Sequence, residues 1–284
     1  MADWAKLGVI AGAGELPVHL ASHLAATGAS FFVARIDGMA DGALASHPGA
    51  AFGLGEMGAR FKALKEAGCD AVTFVGLVRR PDFKTLKVDA RAALMLPKIV
   101  AAARKGDDAL MRAILAEFER EGFRIVGPEA AFAGLLAPKG ALGAHAPDGA
   151  ARVDIAKGAQ IAAALGSWDV GQGCVVCDGF VLALEAAEGT DAMLARIGEL
   201  PAAVRGSRDA RRGVLVKRAK PIQDRRIDLP TVGLATLEAA AAAGLAGIAV
   251  EAGGALIVDR AAVIARADAL GVFVFGFDAA DVPA

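Results

Sequence analysis

The segment LGVIAGAGELP, residues 7–17, restricts the fold more than any other part of the chain: five apolar residues run into a Gly-rich turn, and Pro17 then suits the start of a helix. A short run that is apolar at every position reads as a strand buried on both faces, as in a parallel sheet covered by helices. The helix predicted over PVHLASHLAATG stops at Gly28. SFFVARI (30–36) reads as a second strand, EMGARFKALKEAG (56–68) as an amphipathic helix and AVTFVG (71–76) as a third strand. That is a βαβαβ opening. ALMRAILAEFEREG (109–122) and FRIVGPE (123–129) repeat the helix-then-strand rhythm. LAPKGALGAHAPDG (136–149), rich in Gly, Pro and Ala, then predicts a crossing between domains, with GAHAPDG as its hinge. The expected domains are 1–135 and 136–284.

The second half has a different texture. CVVCDGFVLALEA (174–186), GVLVKRA (213–219), GIAVEAG (247–253), ALIVD (255–259) and VFVFGF (272–277) are strand-like, and DIAKGAQIAAALG and TLEAAAAAG are helical, so a mixed-sheet α/β domain is expected. A length of 284 residues suits two cores, and 55% apolar with 5% aromatic residues and no Tyr predicts interiors of Ala, Val, Leu and Ile. A net charge of -1 gives no overall field to recruit nucleic acid. Three cysteines and no signal-peptide pattern at MADWAKLGVIAGAG predict a reduced, cytoplasmic protein. The long apolar stretches, such as residues 235–258, are broken by Gly or carboxylates and fall short of a membrane span.

Five motifs carry candidate chemistry. In GAGELP, Gly12 and Gly14 follow a strand and precede a helix, which lets backbone N–H groups approach a phosphate. A dinucleotide fingerprint wants a third glycine where Pro17 stands, although Asp37 is placed to hold a ribose; a plain strand-turn-helix corner explains the same letters. GLVRRPDFKTLKVD (76–89) leaves the third strand at its carboxyl end, so Arg79, Arg80 and Asp82 are expected at the crevice where such sheets bind ligands, or in a solvated loop. CVVC (174–177) has no second CxxC and no nearby His, and reads as two buried structural cysteines. In AEGTD (187–191), Glu188, Thr190 and Asp191 suit either a helix cap or a hard divalent ion beside a substrate phosphate. His19 and His23, four apart, lack the glutamate of a zinc helix and read as helix surface.

The fifth motif is the most polar. Between residues 205 and 226 stand nine Lys or Arg and two Asp, a local balance of +7. The run is interrupted by GVLVK, so Lys217 and Lys220 leave a strand in fixed directions toward KPIQD, where Asp224 adds a carboxylate. Cations that neutralise developing charge and a carboxylate that holds metal or positions water are what phosphoryl chemistry needs.

VIAGAGELP, GLVRRPD, EGTD, KRAKPIQDRRIDLPTVG with TLEAAAAAGLAGIAVEAG, and the closing LIVDR together resemble the LpxI-type UDP-2,3-diacylglucosamine pyrophosphatases of the lipid A pathway, from about residue 7 to 276. The resemblance implies an N-terminal Rossmann-like parallel-sheet domain, a C-terminal mixed-sheet α/β domain and a substrate cleft between them. It implies hydrolysis of UDP-2,3-diacylglucosamine to UMP and 2,3-diacylglucosamine 1-phosphate (lipid X), dependent on a divalent cation, usually Mg2+. It also implies a homodimer at the cytoplasmic face of the inner membrane. Carried onto this sequence, Asp224 is the essential aspartate and, with Asp191, the expected catalytic and metal-binding pair. Thr190, Lys217, Lys220 and Gln223 are the implied phosphate or sugar contacts, and Asp228 and Thr231 support them; Gly12, Gly14, Leu16 and Arg79 are the implied N-terminal side. Two acyl chains also demand an apolar trough, and Arg208, Arg211 and Arg212 are an expected basic rim for the membrane. A nicotinamide-dependent oxidoreductase built on GAGELP and a non-catalytic nucleotide-sugar or lipid binder are the competing readings.

Overall fold

In the computed structural model, which describes residues 3–79, 81–221, 224, 226, 227 and 229–281, two compact units meet in sequence between Ala133 and Gly134. The first is built from β1 (Leu7–Ala11), α1 (Glu15–Ala26), β2 (Phe31–Ile36), β3 (Gly49–Phe52), α2 (Met57–Glu66), β4 (Ala71–Val75), α3 (Ala90–Ala103), α4 (Asp107–Arg120), β5 (Arg124–Ile125) and α5 (Pro128–Ala131). Its five strands lie in the order β3-β2-β1-β4-β5, all parallel. The central strand β1 is buried at all five residues, as its unbroken apolar run requires. Leu7, Val9, Leu20, Leu24, Val33 and Val75 share one core, and Phe61, Phe74 and Phe118 pack edge-on at 4.8–4.9 Å centroid distances. α1 ends before Gly28, whose φ of 67° takes the left-handed stop expected of it.

The second unit contains β6 (Gly140–Leu142), α6 (Gly149–Ser167), β7 (Gly173–Cys177), β8 (Phe180–Leu184), α7 (Gly189–Gly198), α8 (Ala202–Arg205), β9 (Val214–Lys217), β10 (Thr231–Val232), α9 (Leu234–Ala242), β11 (Gly247–Glu251), β12 (Leu256–Ile257), α10 (Arg260–Leu270) and β13 (Phe273–Phe277). Its main sheet runs β6-β13-β11-β9-β7-β8. β9, β11 and β13 are parallel, while β6 and β7 run against them and β8 against β7, so the sheet is mixed. β10 and β12 pair separately as a parallel ribbon. Alternate residues of the strands face two cores. Val175, Leu215, Ile248 and Val274 meet α7, α9 and α10, whereas Val176, Val214, Val216 and Ala249 meet α6. Small residues set the spacing: a Cβ at Gly158 of α6 would lie 2.5 Å from Val216 Cγ2.

Three expectations are corrected here. Residues 136–149 are not a loose crossing: Gly140–Leu142 pairs antiparallel with β13 as an edge strand, and Ala137 N–H donates to Ala255 O at 2.9 Å. The hinge expected at GAHAPDG is likewise tied down. Ala144 N–H donates to Asp268 Oδ1 at 2.7 Å, and Asp148 caps α6 by accepting from Ala151 N–H at 2.8 Å. CVVCDGFVLALEA is a hairpin, not one strand: Asp178 and Gly179 take positive φ of 51° and 79°, the turn that a right-twisted two-residue hairpin needs. The buried Asp154 of α6 accepts from both their amides, at 2.9 and 2.7 Å. No helix among the described residues is long and apolar enough to cross a membrane.

Candidate active site

β9 delivers Lys217 to the carboxyl end of the parallel part of the second sheet, the end at which open α/β sheets bind ligands. Because β7 runs the other way, its first residue, Gly173, lies directly opposite Lys217 in the register. The β8 strand ends beside it, and the next residue, Glu185, donates its amide to Gly173 O at 2.9 Å. Lys217 and Glu185 are 3% and 7% exposed. Between them stands Thr190, in the first turn of α7. Lys217 Nζ donates to Thr190 Oγ1 at 2.6 Å, Thr190 Oγ1 donates to Glu185 Oε1 at 2.8 Å, and Nζ lies 3.8 Å from that same carboxylate oxygen. The hydroxyl has one proton, so its donation to Glu185 fixes its lone pairs toward the ammonium. Removing one member of such a buried charged pair costs about 3–5 kcal/mol, because the other is left uncompensated.

Thr190 therefore does not cap α7. Glu188 occupies the N-cap position with no side-chain cap bond and pairs instead with Arg196 at 3.0 Å, while Asp191 stands exposed in the first turn. Of the predicted group, Thr190 and Lys217 come into contact. Lys220, three residues beyond β9, donates to Asp169 Oδ1 at 2.8 Å, and both side chains are mostly buried. Asp224 is held by Arg226: the Nε atom donates to Oδ1 at 2.9 Å and Nη2 to Oδ2 at 2.6 Å, a two-pronged fork. Thr231 lies in β10, where its hydroxyl donates to Leu229 O at 3.2 Å. Gln223, Asp228, Arg80 and Arg225 lie outside the described residues.

In the first unit, the loops after β1 and β4 zip together at the switch point of the strand order. Ala13 and Leu77 exchange both backbone hydrogen bonds at 2.9 Å. A Cβ on Gly12 would lie 2.5 Å from Leu77 O, so that glycine is needed for backbone packing. Gly14 differs: its φ is 99°, it precedes α1 without a side-chain cap, and nothing lies within 4 Å of where its Cβ would be. Leu16 packs partly buried against the core and Arg79 is exposed. Asp82 shapes its own loop by accepting from Lys84 N–H at 2.9 Å.

Three arginines of the +7 stretch are tied to the fold. Arg205 donates to Leu200 O at 2.7 Å and Ala243 O at 2.9 Å, Arg211 to Ala241 O at 2.7 Å, and Arg212 to Ala203 O and Asp178 Oδ2, both at 2.6 Å. These guanidinium groups satisfy carbonyls around the ends of α7, α8 and α9, where helices leave acceptors unpaired. Arg208 alone of the three proposed rim residues is exposed. The cysteines are inert: Cys174 and Cys177 are buried and unbridged, and burial, reinforced by the Glu185 charge, pushes the Cys174 thiol up to about 12. His23 is not turned to a metal but stacks on Phe132, with ring centroids 3.7 Å apart.

Two features were not singled out in the sequence. Glu185 was hidden as the last letter but one of an apolar strand pattern, and Asp169, the partner of Lys220, stood in the loop after α6. One oxygen of Glu185, Oε2, is buried without a hydrogen-bond partner. An unsatisfied buried polar atom costs about 1–3 kcal/mol and calls for an explanation. Among the described residues no three His, Cys, Asp or Glu stand close enough to cage a metal. Single carboxylates such as Asp224 and Asp191 suit only an ion that keeps most of its water or takes oxygens from a bound phosphate, which is the habit of Mg2+.

The model of the LpxI N-terminal domain matches residues 6–135 and that of the LpxI C-terminal domain residues 138–275. A curated protein of Caulobacter vibrioides, named UDP-2,3-diacylglucosamine pyrophosphatase LpxI, is 54% identical over 278 residues, spanning 98% of this chain and 99% of that one. With both halves matched in order and the full length covered, the chain belongs to the LpxI family.

Proposed function

We propose that this chain hydrolyses the pyrophosphate of UDP-2,3-diacylglucosamine to UMP and 2,3-diacylglucosamine 1-phosphate. The observation that carries the reading is Lys217, an ammonium buried at the carboxyl edge of a sheet and aimed by Thr190, in a chain 54% identical to a protein named for that activity. Water adds across the P–O–P bridge: one phosphorus gains the water oxygen, and the bridging oxygen leaves with the other phosphate. Lys217 and Lys220 neutralise the charge that grows on the phosphate oxygens as the bridge breaks. Asp224, held in place by Arg226, positions the attacking water, whose proton passes to solvent. Gln223, Asp228 and Thr231 support the wall that carries these groups. Gly14 and Arg79, with Gly12 and Leu16 shaping their loops, are the anion contacts of the first unit.

Asp224 and Asp191 are the residues that would hold a hydrated Mg2+, with Arg226 giving up part of its fork, and the ion would add positive charge beside the phosphates. The reading also carries a homodimer working at the cytoplasmic face of the inner membrane. Trp168, 82% exposed, and the exposed Val170 flank Asp169, the partner of Lys220, and offer an apolar border for acyl chains beside a phosphate contact. Incubation of the purified protein with UDP-2,3-diacylglucosamine in H2(18O) tests the proposal. The expected result is UMP and the lipid monophosphate in equal amounts, with one heavy oxygen in one product and none in the other, lost with EDTA and restored by Mg2+. Absence of UMP, or two unlabelled products, contradicts it.

A further inference from the structure

We infer that Glu185 is a positioning residue for the phosphate-facing Lys217: through the Thr190 hydroxyl it fixes where the ammonium points, and it acts on the substrate only by that route. The inference rests on the role proposed above for Lys217. Its geometric basis is independent of the sequence resemblance. Glu185 Oε1 accepts from Thr190 at 2.8 Å, and Thr190 in turn accepts from Lys217 at 2.6 Å, so the carboxylate reaches the ammonium chiefly through a hydroxyl with only one proton to give. Had the direct ion pair been the main contact, Nζ and Oε1 would be closer than the observed 3.8 Å.

The backbone around Glu185 is shaped to admit it. A Cβ on Gly171 would lie 2.0 Å from Glu185 O, and one on Gly173 would lie 2.4 Å from Glu185 Oε2. Both glycines have a packing reason that concerns this residue. Oε2, buried and unpartnered, shows that the carboxylate is held for its Oε1 contact and not because its own bonds are all satisfied. A network with that polarity keeps the lysine from rotating away when an anion is absent, so the contact is ready when phosphate charge develops.

The test is a mutant cycle on the full chain with Glu185→Gln, Lys217→Met and the double variant, measured as UMP release from UDP-2,3-diacylglucosamine and, separately, as binding of inorganic pyrophosphate by calorimetry. Glu185→Gln is expected to lower kcat by roughly 10- to 100-fold with KM changed less than about threefold. In the Lys217→Met background the same change is expected to alter kcat by less than about twofold, because the group it acts through is gone. Gly173→Ala, which displaces the carboxylate without removing its charge, is expected to repeat the kcat loss and serves if Glu185→Gln fails to fold. Equal effects of Glu185→Gln in both backgrounds, or a change in KM alone, overturn the inference. Should the unmodified protein release no UMP, the proposed reaction fails, and the pyrophosphate cycle then decides this inference: weaker binding in Glu185→Gln only when Lys217 is present supports it. Equal weakening in both backgrounds, or no pyrophosphate binding, overturns it.

Discussion

A buried ammonium is stable only where protein oxygens replace its water, and at Lys217 the Thr190 hydroxyl and the Glu185 carboxylate do so. Thr190→Val keeps the shape and removes the bridge. It is expected to cost about 1–3 kcal/mol in urea unfolding and to lower UMP release by more than the stability loss explains; unchanged stability would mean that the network does not hold the ammonium. The sequence made part of this visible. Thr190 stood in EGTD, and Lys217 and Lys220 left a strand together, so the cationic wall could be read from letter order. Glu185 could not, because a carboxylate at the end of an apolar strand is the pattern of any strand that meets solvent; only the antiparallel hairpin turns it back onto Lys217. Asp224 was legible as a letter, but its fork with Arg226 was not.

At the level of elements, apolar and β-branched runs are legible down to the two-residue β5 and β12, whereas strands of small residues are not. β1, β2, β4, β9, β11 and β13 follow their hydrophobic patterns, while GAAF in β3 has no β-branched residue, and Gly49 is there because a Cβ would sit 2.0 Å from Val33 O. Arginines that looked like a surface charge run are spent on helix-end carbonyls, which charge counting cannot distinguish from a solvated patch. Capping gives the clearest element-scale prediction. Asp89 caps α3 through Ala92 N–H at 2.8 Å and also receives Gly58 N–H at 2.7 Å and Ala59 N–H at 3.2 Å from the start of α2. Burial pushes its carboxyl up, but these amides outweigh it and hold it below the usual range. A folded-state value below the unfolded one means stability that is present above the ordinary carboxylate range and lost as pH falls through it. Asp89→Asn keeps a cap for α3 but turns an NH2 toward the Gly58 and Ala59 amides, and is expected to cost about 1–2 kcal/mol at neutral pH, with the gap to the unmodified protein closing below about pH 4. A gap that is constant with pH would show that charge plays no part.

For the molecule as a whole, two α/β units with different sheets were legible because a parallel sheet needs continuous apolar strands and a mixed one tolerates hairpins. The segment 136–149 misled because an edge strand made of Gly and Ala carries a linker's composition, and its identity comes only from pairing with β13. Both units belong to the LpxI family, and the proposed hydrolysis is expected to depend on the Asp224 carboxylate. The direct test is UMP release from UDP-2,3-diacylglucosamine by the unmodified protein and by Asp224→Ala, each with Mg2+ and with EDTA, alongside substrate binding. Release by the unmodified protein with Mg2+ is expected, with a loss on the order of 10³-fold in the variant and binding kept within several-fold. Turnover retained by Asp224→Ala would contradict that dependence.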